Sequence, residues 1–251
     1  MEIREIPNPT IASLRPPKFK CDVPLVQRQI EPFPNCSFAM GIFGKPGSGK
    51  TSLCVSALTS RRPKVYWKAF NNIFVVMPQS SRQSMRCDPF GAIEQRNCYD
   101  DLSLANLLDI YEKLDGQEPC PDGSFQTNLL LIDDQTQLLK NGEIRKLLNH
   151  LVLNRRHLHL SLIFLAQYFN SVPLEIRKNL STIVIVGRIS NKKEYKNLQE
   201  EVLHADRETM DGIMEYVFRS KHDNLIIDLD GGGKLYRNFN RLVIEGAGDS
   251  I

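Results

Sequence analysis

The residues best suited to chemistry stand in one run: Gly44, Lys45, Pro46, Gly47, Ser48, Gly49, Lys50 and Thr51, in the order G-x-x-x-x-G-K-T, with Ser52 next. Glycines let the backbone fold tightly enough for successive N–H groups to point at phosphate oxygens, and a following helix adds its positive end. Lys50 is the group to reach the β and γ phosphates of ATP, and the Thr51 hydroxyl suits Mg²⁺, a hard cation that takes oxygen ligands. Lys45, Ser48 and Ser52 support the loop. A random chain of this length shows the four fixed positions about once in a hundred. Here an apolar run, SFAMGIF, precedes the loop and a helix-like TSLCVSALTS follows it, the context a phosphate loop requires.

A second constellation closes the run TNLLLIDD. A buried parallel strand there places Asp133 at its C-terminal edge as a ligand in the Mg²⁺ shell, and Asp134 on the γ-phosphate side as the base that orients and deprotonates water. Next comes GEIRKLLNHLVLNRRHL, with Ile144, Leu147, Leu148 and Leu151 at helical spacing and Arg155 and Arg156 at its end. Either arginine can serve as a finger supplied to a neighbouring subunit, Arg156 preferred, although basic residues also favour helix C-termini for dipole reasons. The strand LSLIFLAQ then ends in Gln167, placed to sense the γ-phosphate or the attacking water.

Strands near 37–43, 72–77, 128–133, 160–166 and 182–187, separated by segments long enough for crossovers, define a parallel α/β sheet with its ligand at the strand C-termini. NLIIDLD, a glycine turn at 231–233 and KLYRNFNRLVI read as a β-hairpin added to that sheet, after helices between about 191 and 218. Residues 1–31, rich in proline and poor in periodicity, read as an extended arm, either disordered or docking to a protein partner or an adjacent subunit; 32–251 form the ATPase domain. Within it, about 88–126 read as an acidic surface insertion with one helix near 103–114.

Composition sets the bounds: 41% hydrophobic and 24% charged residues over 251 positions describe an ordinary globular chain, and no apolar run has the length to span a membrane. No secretory leader is expected. The six scattered cysteines lack a C-x-x-C pair, as in a reducing compartment. A net charge of +3 conceals blocks of +8 over 32–87, −9 over 88–135 and +8 over 136–193. On charge alone the blocks read as solvated surface loops; the stretches 61–86 (Arg61, Arg62, Lys64, Lys68, Arg82, Arg86) and 177–193 are otherwise the candidate surfaces for a polyanion or a neighbouring subunit.

Taken in order, GIFGKPGSGKTSL, NLLLIDD and RRHLHLSLIFLAQYFNSVPLEIRKNLS resemble the genome-packaging ATPases of large DNA viruses and virophages, of the FtsK/HerA group, over about residues 36–190. The resemblance implies a P-loop NTPase of the ASCE, RecA-like type: a three-layer α/β sandwich with a mainly parallel sheet and a C-terminal hairpin. It implies a homo-oligomeric ring, pentamer or hexamer, that hydrolyses ATP at inter-subunit sites and drives double-stranded DNA into a preformed capsid without reading its sequence. By carry-over, Lys50 and Thr51 are Walker A, Asp133 and Asp134 Walker B, Gln167 the sensor and Arg156 the finger. Asp134 departs from cellular relatives, which generally carry Glu, by one methylene. No appended nuclease is expected in 251 residues. The setting implied is the host cytoplasm or a viral factory, with or without carriage in the virion. Two rival readings are a P-loop nucleoside or nucleotide kinase, which needs an acceptor pocket, and a nucleotide-gated assembly scaffold whose turnover ignores DNA.

Overall fold

The apolar runs do pair as strands of one sheet. The computed structural model describes residues 24–83, 90–91 and 93–244. In chain order the elements are β1 (Ala39–Phe43), α1 (Lys50–Thr59), β2 (Asn72–Val76), α2 (Gln79–Gln83), β3 (Cys98–Tyr99), α3 (Leu104–Asp115), β4 (Asn128–Asp133) and α4 (Gly142–Leu153). Then come β5 (Leu160–Ala166), α5 (Leu174–Arg177), β6 (Thr182–Val186), α6 (Lys192–Leu198), α7 (Arg207–Val217), β7 (Asn224–Asp228), β8 (Lys234–Arg237) and β9 (Asn240–Arg241).

The strands lie in the order β3-β2-β4-β5-β1-β6-β7-β8-β9. The six from β3 to β6 are parallel, and β7, β8 and β9 return antiparallel as the expected hairpin region. β5 separates β1 from β4, so the loop strand and the strand ending in two acids do not touch. That inserted strand carries Gln167 beyond its last residue, between the loop and the acids.

Alternation along the central strands feeds two cores. Leu130, Ile132, Leu162 and Phe164 face the helices α3 and α4, whereas Leu129, Leu131, Ile163 and Leu165 face α1 and the chain segment 65–70. A central sheet with a core on each face is the expected three-layer sandwich. Helix α4 illustrates the local logic. Asn141 caps its N-terminus by accepting from the Glu143 and Ile144 N–H groups, and Ile144, Leu148, Leu151 and Val152 form its buried face. Full burial of one such side chain contributes about 1.5–3 kcal/mol.

Two organisational expectations change. Among the described residues of 88–126 the helix expected near 103–114 is present as α3, but it packs into the fold and does not lie on its surface: β3 extends the sheet beside β2, and α3 buries Leu107, Ile110 and Leu114 in the core. Asp109, Glu112 and Asp115 of α3 lie off that buried stripe, so charge counting hides the packing face. The arm also ends earlier than residue 31. Leu25 is buried, and Asn35 accepts from the Val26 N–H while donating to its carbonyl, at 2.9 and 3.0 Å. Residues 1–23, the greater part of the arm, lie outside the described residues, as do Arg86 and the chain after 244.

Candidate nucleotide site

The loop between β1 and α1 is shaped by its glycines. Gly47 and Gly49 hold φ of 71° and 107°, the left-handed region that favours glycine. A Cβ at Gly44 would stand 2.3 Å from the Val186 carbonyl oxygen, so no side chain fits where the loop leaves β1. Lys50 turns its Nζ back across the loop and donates to the carbonyls of Gly44 and Lys45 at 2.6 and 3.2 Å. The Ser48 hydroxyl is buried and has no hydrogen-bond partner among the described residues, the condition of a group that serves a ligand oxygen. Pro46 is exposed at the loop's surface, and Ser52 is exposed on the first turn of α1.

Opposite Lys50 stand the two acids. Asp133, the last residue of β4, is 8% exposed. Its carboxyl is pushed up to about 6, first by burial and then by the Asp134 charge, against the partial relief of Lys50 and of the Thr51 hydroxyl beside it. Lys50 is held below its ordinary value by burial, with Asp133 and Asp134 pulling it back up. The three groups are therefore one electrostatic unit. Asp134 is exposed, adopts φ 54°, and donates its N–H to the Leu165 carbonyl at 3.0 Å. Across the strand gap, the Gln167 side-chain N–H₂ donates to both Asp134 oxygens at 3.2 and 3.0 Å. Sequence reasoning put the acid and the amide on different strands; the structure puts them in contact.

Arg155 and Arg156 go elsewhere. They lie in the turn between α4 and β5, at the opposite edge of the sheet, a strand of seven residues or about 20 Å from Gln167. Neither reaches the loop of its own chain. The two also differ from each other. Arg155 is drawn inward, donating to the Val152 carbonyl at 3.0 Å and held below its ordinary value by burial, with Asp230 opposing that shift. Arg156 is exposed.

Three residues at or behind the site escaped sequence reasoning. His222, from the turn before β7, sets its Nδ1 2.9 Å from the Ser48 carbonyl; because a carbonyl only accepts, Nδ1 carries the proton. That turn is fixed by Asp223, which accepts from the Arg219 and Ser220 N–H groups and from Arg237 and Asn238. Glu194, on α6, faces Lys45 and accepts from the Phe169 N–H at 2.5 Å, and burial raises its carboxyl. Arg177, the first cation of the basic stretch 177–193, does not face outward: it is 9% exposed, hydrogen-bonded to both Glu201 oxygens at 3.0 and 2.8 Å and laid over the Phe169 ring. Asn170 accepts from both Arg177 and Asn197, so the chain beyond Gln167 is tied to α6 and to the π-helical turn Gln199–Leu203 that follows it.

A loop of this shape suits phosphate, the Thr51 hydroxyl beside Asp133 suits a hard cation, and an acid aligned by an amide suits the activation of water, the chemistry that nucleotide hydrolysis needs. Residues 27–228 match the Poxvirus A32 protein family. The chain belongs to that family. No curated protein matches it. Among solved structures it is similar to B204, the DNA-packaging ATPase of Sulfolobus Turreted Icosahedral Virus: TM-score 0.57 at 15% identity, over 83% of this chain and 98% of that one. It is similar to the genome-packaging NTPase B204 of Sulfolobus turreted icosahedral virus 2, solved with ATP-gammaS, at TM-score 0.56 and 14% identity over 82% and 98%. EssC (ATPases 2 and 3) from Geobacillus thermodenitrificans follows at TM-score 0.52 and 12% identity, over 85% of this chain and 41% of that one. At these identities the likeness concerns the fold, which is that of P-loop ATPases. Among the described residues no helix is long and apolar enough to cross a membrane.

Proposed function

We infer that this member of the Poxvirus A32 protein family is a genome-packaging ATPase: a ring-forming motor that hydrolyses ATP between subunits and drives double-stranded DNA into a preformed capsid. The observation that carries the chemistry is the contact between Asp134 and Gln167 beside Lys50. Family membership and the packaging ATPases of the same fold carry the biological setting. Its place of work is where viral DNA and capsids meet, the host cytoplasm or a viral factory.

Residues 44–51 bind the triphosphate, the Ser48 hydroxyl and Lys50 taking phosphate oxygens. Thr51 and Asp133 fit Mg²⁺, because a hydroxyl beside a buried carboxylate is an oxygen-donor pair whose charge a dication relieves. When bound, the ion supplies neutralisation of phosphate charge. Asp134, held by Gln167, orients a water and takes its proton as the water oxygen attacks the γ-phosphorus; the β–γ bridging oxygen leaves on ADP. Lys50 offsets charge on the transferring group.

Since Arg156 lies at the edge away from its own loop, its role as a finger belongs to a neighbour's site. Equimolar mixing tests this. Arg156→Ala subunits, inactive alone, combined with Lys50→Ala subunits, also inactive, are expected to recover part of the wild-type turnover, because some interfaces then hold an intact loop and an intact arginine. No recovery would remove Arg156 from the mechanism.

The reading as a whole is tested by steady-state ATP hydrolysis with and without long double-stranded DNA. Turnover is expected to rise severalfold with DNA. Phosphate transfer to a nucleoside would mark a kinase, and turnover indifferent to DNA even with capsids present would mark a nucleotide-gated scaffold.

A further inference from the structure

We propose that the loop joining α1 to β2, residues 61–68, is the surface that grips the DNA backbone. This rests on the reading of the chain as a DNA motor and selects between its two basic stretches. Within eight residues the loop carries Arg61, Arg62, Lys64 and Lys68, all exposed, and no acid. Among the described residues no carboxylate pairs with any of them. By contrast, Arg82, in the same basic stretch, is paired with Asp100 at 2.7 Å.

The loop is built to hold those charges in place. Val65 and Tyr66 are buried between the charged positions. The Tyr66 N–H donates to the Ala57 carbonyl at 2.9 Å and its hydroxyl to the Pro34 carbonyl at 2.8 Å. Its ring packs against Phe33, Phe38 and Phe70. Anchored in this way, the backbone leaves the cations outward at little further entropic cost on binding. Half-buried Trp67 holds two of them: Arg61 lies 4.8 Å and Lys68 5.9 Å from its ring centre. Those two cations therefore stand within about 11 Å of each other, and a duplex carries about six phosphate charges over that length of axis. Repelling cations with no acid between them are relieved by a dense polyanion, and their contacts carry no base information.

Position separates this loop from its rival. In 177–193, Arg177 is buried against Glu201, Arg188 lines the cleft beside Gly44 and Lys45 at the nucleotide edge, Lys192 and Lys193 follow next to that cleft, and Lys178 stands apart from them as a single exposed cation. Loop 61–68 lies at the other edge of the sheet, where β2, β4 and β5 begin. A second polyanion can dock there without competing with triphosphate. Beside Trp67 and Lys68 a groove of about 490 Å³ opens; its acid, Glu94, is already paired with Arg96.

The test uses the full chain and a short fluorescent duplex of arbitrary sequence, titrated at several salt concentrations. Arg62→Gln with Lys64→Gln removes two cations that do not touch Trp67, and Arg61→Gln with Lys68→Gln completes the set. ATP turnover without DNA should match wild type in each, because none of the four lies at the phosphate loop. The double variant is expected to bind duplex about tenfold more weakly, with the slope of log affinity against log salt shallower by about two. The quadruple variant should lose stimulation by DNA. Wild-type affinity and salt slope in the quadruple variant would overturn the loop assignment alone. A wild-type chain that hydrolyses ATP but shows no salt-dependent duplex binding would overturn the motor reading with it. Polyglutamate competing as well as duplex at equal charge would mark an acidic protein as the ligand and also overturn the proposal.

Discussion

Lys50→Ala is expected to lower ATP turnover by about a thousandfold or more, the range seen when a preorganised charge at a phosphoryl-transfer site is removed. The geometry explains why so much depends on one ammonium. Asp133 and Asp134 stand side by side at the end of β4, and Lys50 is the cation that relieves both. Phosphate oxygens entering without Lys50 would meet two carboxylates. Its present contacts, the carbonyls of Gly44 and Lys45, are neutral acceptors, so it can exchange them for anionic oxygens without breaking an ion pair. Single-turnover hydrolysis and binding of a non-hydrolysable analogue should be measured together. A variant that keeps a tenth of the wild-type rate would show that hydrolysis occurs elsewhere.

Asp133→Asn should do two opposite things: remove Mg²⁺-dependent turnover and make the protein more stable. A carboxyl at about 6 in the folded chain, against about 3.9 when unfolded, costs the native state on the order of 2–3 kcal/mol at neutral pH. The sign follows from protons bound. Between those two values the folded chain holds the proton and the unfolded chain does not, so stability is present in full below about 4 and is lost as pH rises through about 6. Asn leaves Lys50 with one acid fewer, which reduces the gain to about 1–2 kcal/mol, or roughly 3–6 °C in Tm for a chain of this size. Melting in chelator across pH 4–8 is the measurement. The gap between variant and wild type should open from pH 4 to 6 and hold above it; a gap independent of pH, or a less stable variant at pH 7, would refute the account.

What could be read in the sequence was local. The loop from Gly44 to Thr51 is specified by glycines whose left-handed angles few other residues adopt, and Asp133 and Asp134 end a run too apolar to lie anywhere but in the middle of a sheet. The hairpin after Asn224 followed from alternation and its glycine turn. What could not be read depends on strand order. His222 is 174 residues from Ser48 and meets it because β7 returns antiparallel beside β6. Arg177 carries no sign in its neighbours that Glu201, on a π-helical turn, will pair with it. Helix α3 was mistaken for surface because its acids were counted before its apolar face was traced. Arg155 and Arg156 share a dipeptide, and only the start of β5 decides which one is turned inward.

The placement of β5 between β1 and β4 has a consequence for how this enzyme tolerates change. Asp133 is level with Leu165, Phe43 is level with Ala166, and Asp134 is fastened by its N–H to the Leu165 carbonyl. Backbone pairing, not side-chain fit, therefore sets the distance from acid to amide to loop. Core side chains on these strands can be exchanged for others of similar volume without altering that gauge. A deletion of one residue within β5 cannot: it would draw Gln167 back by about 3.3 Å and turn it to the other face of the sheet. The family should accordingly drift freely in the identity of its strand residues while keeping their number fixed.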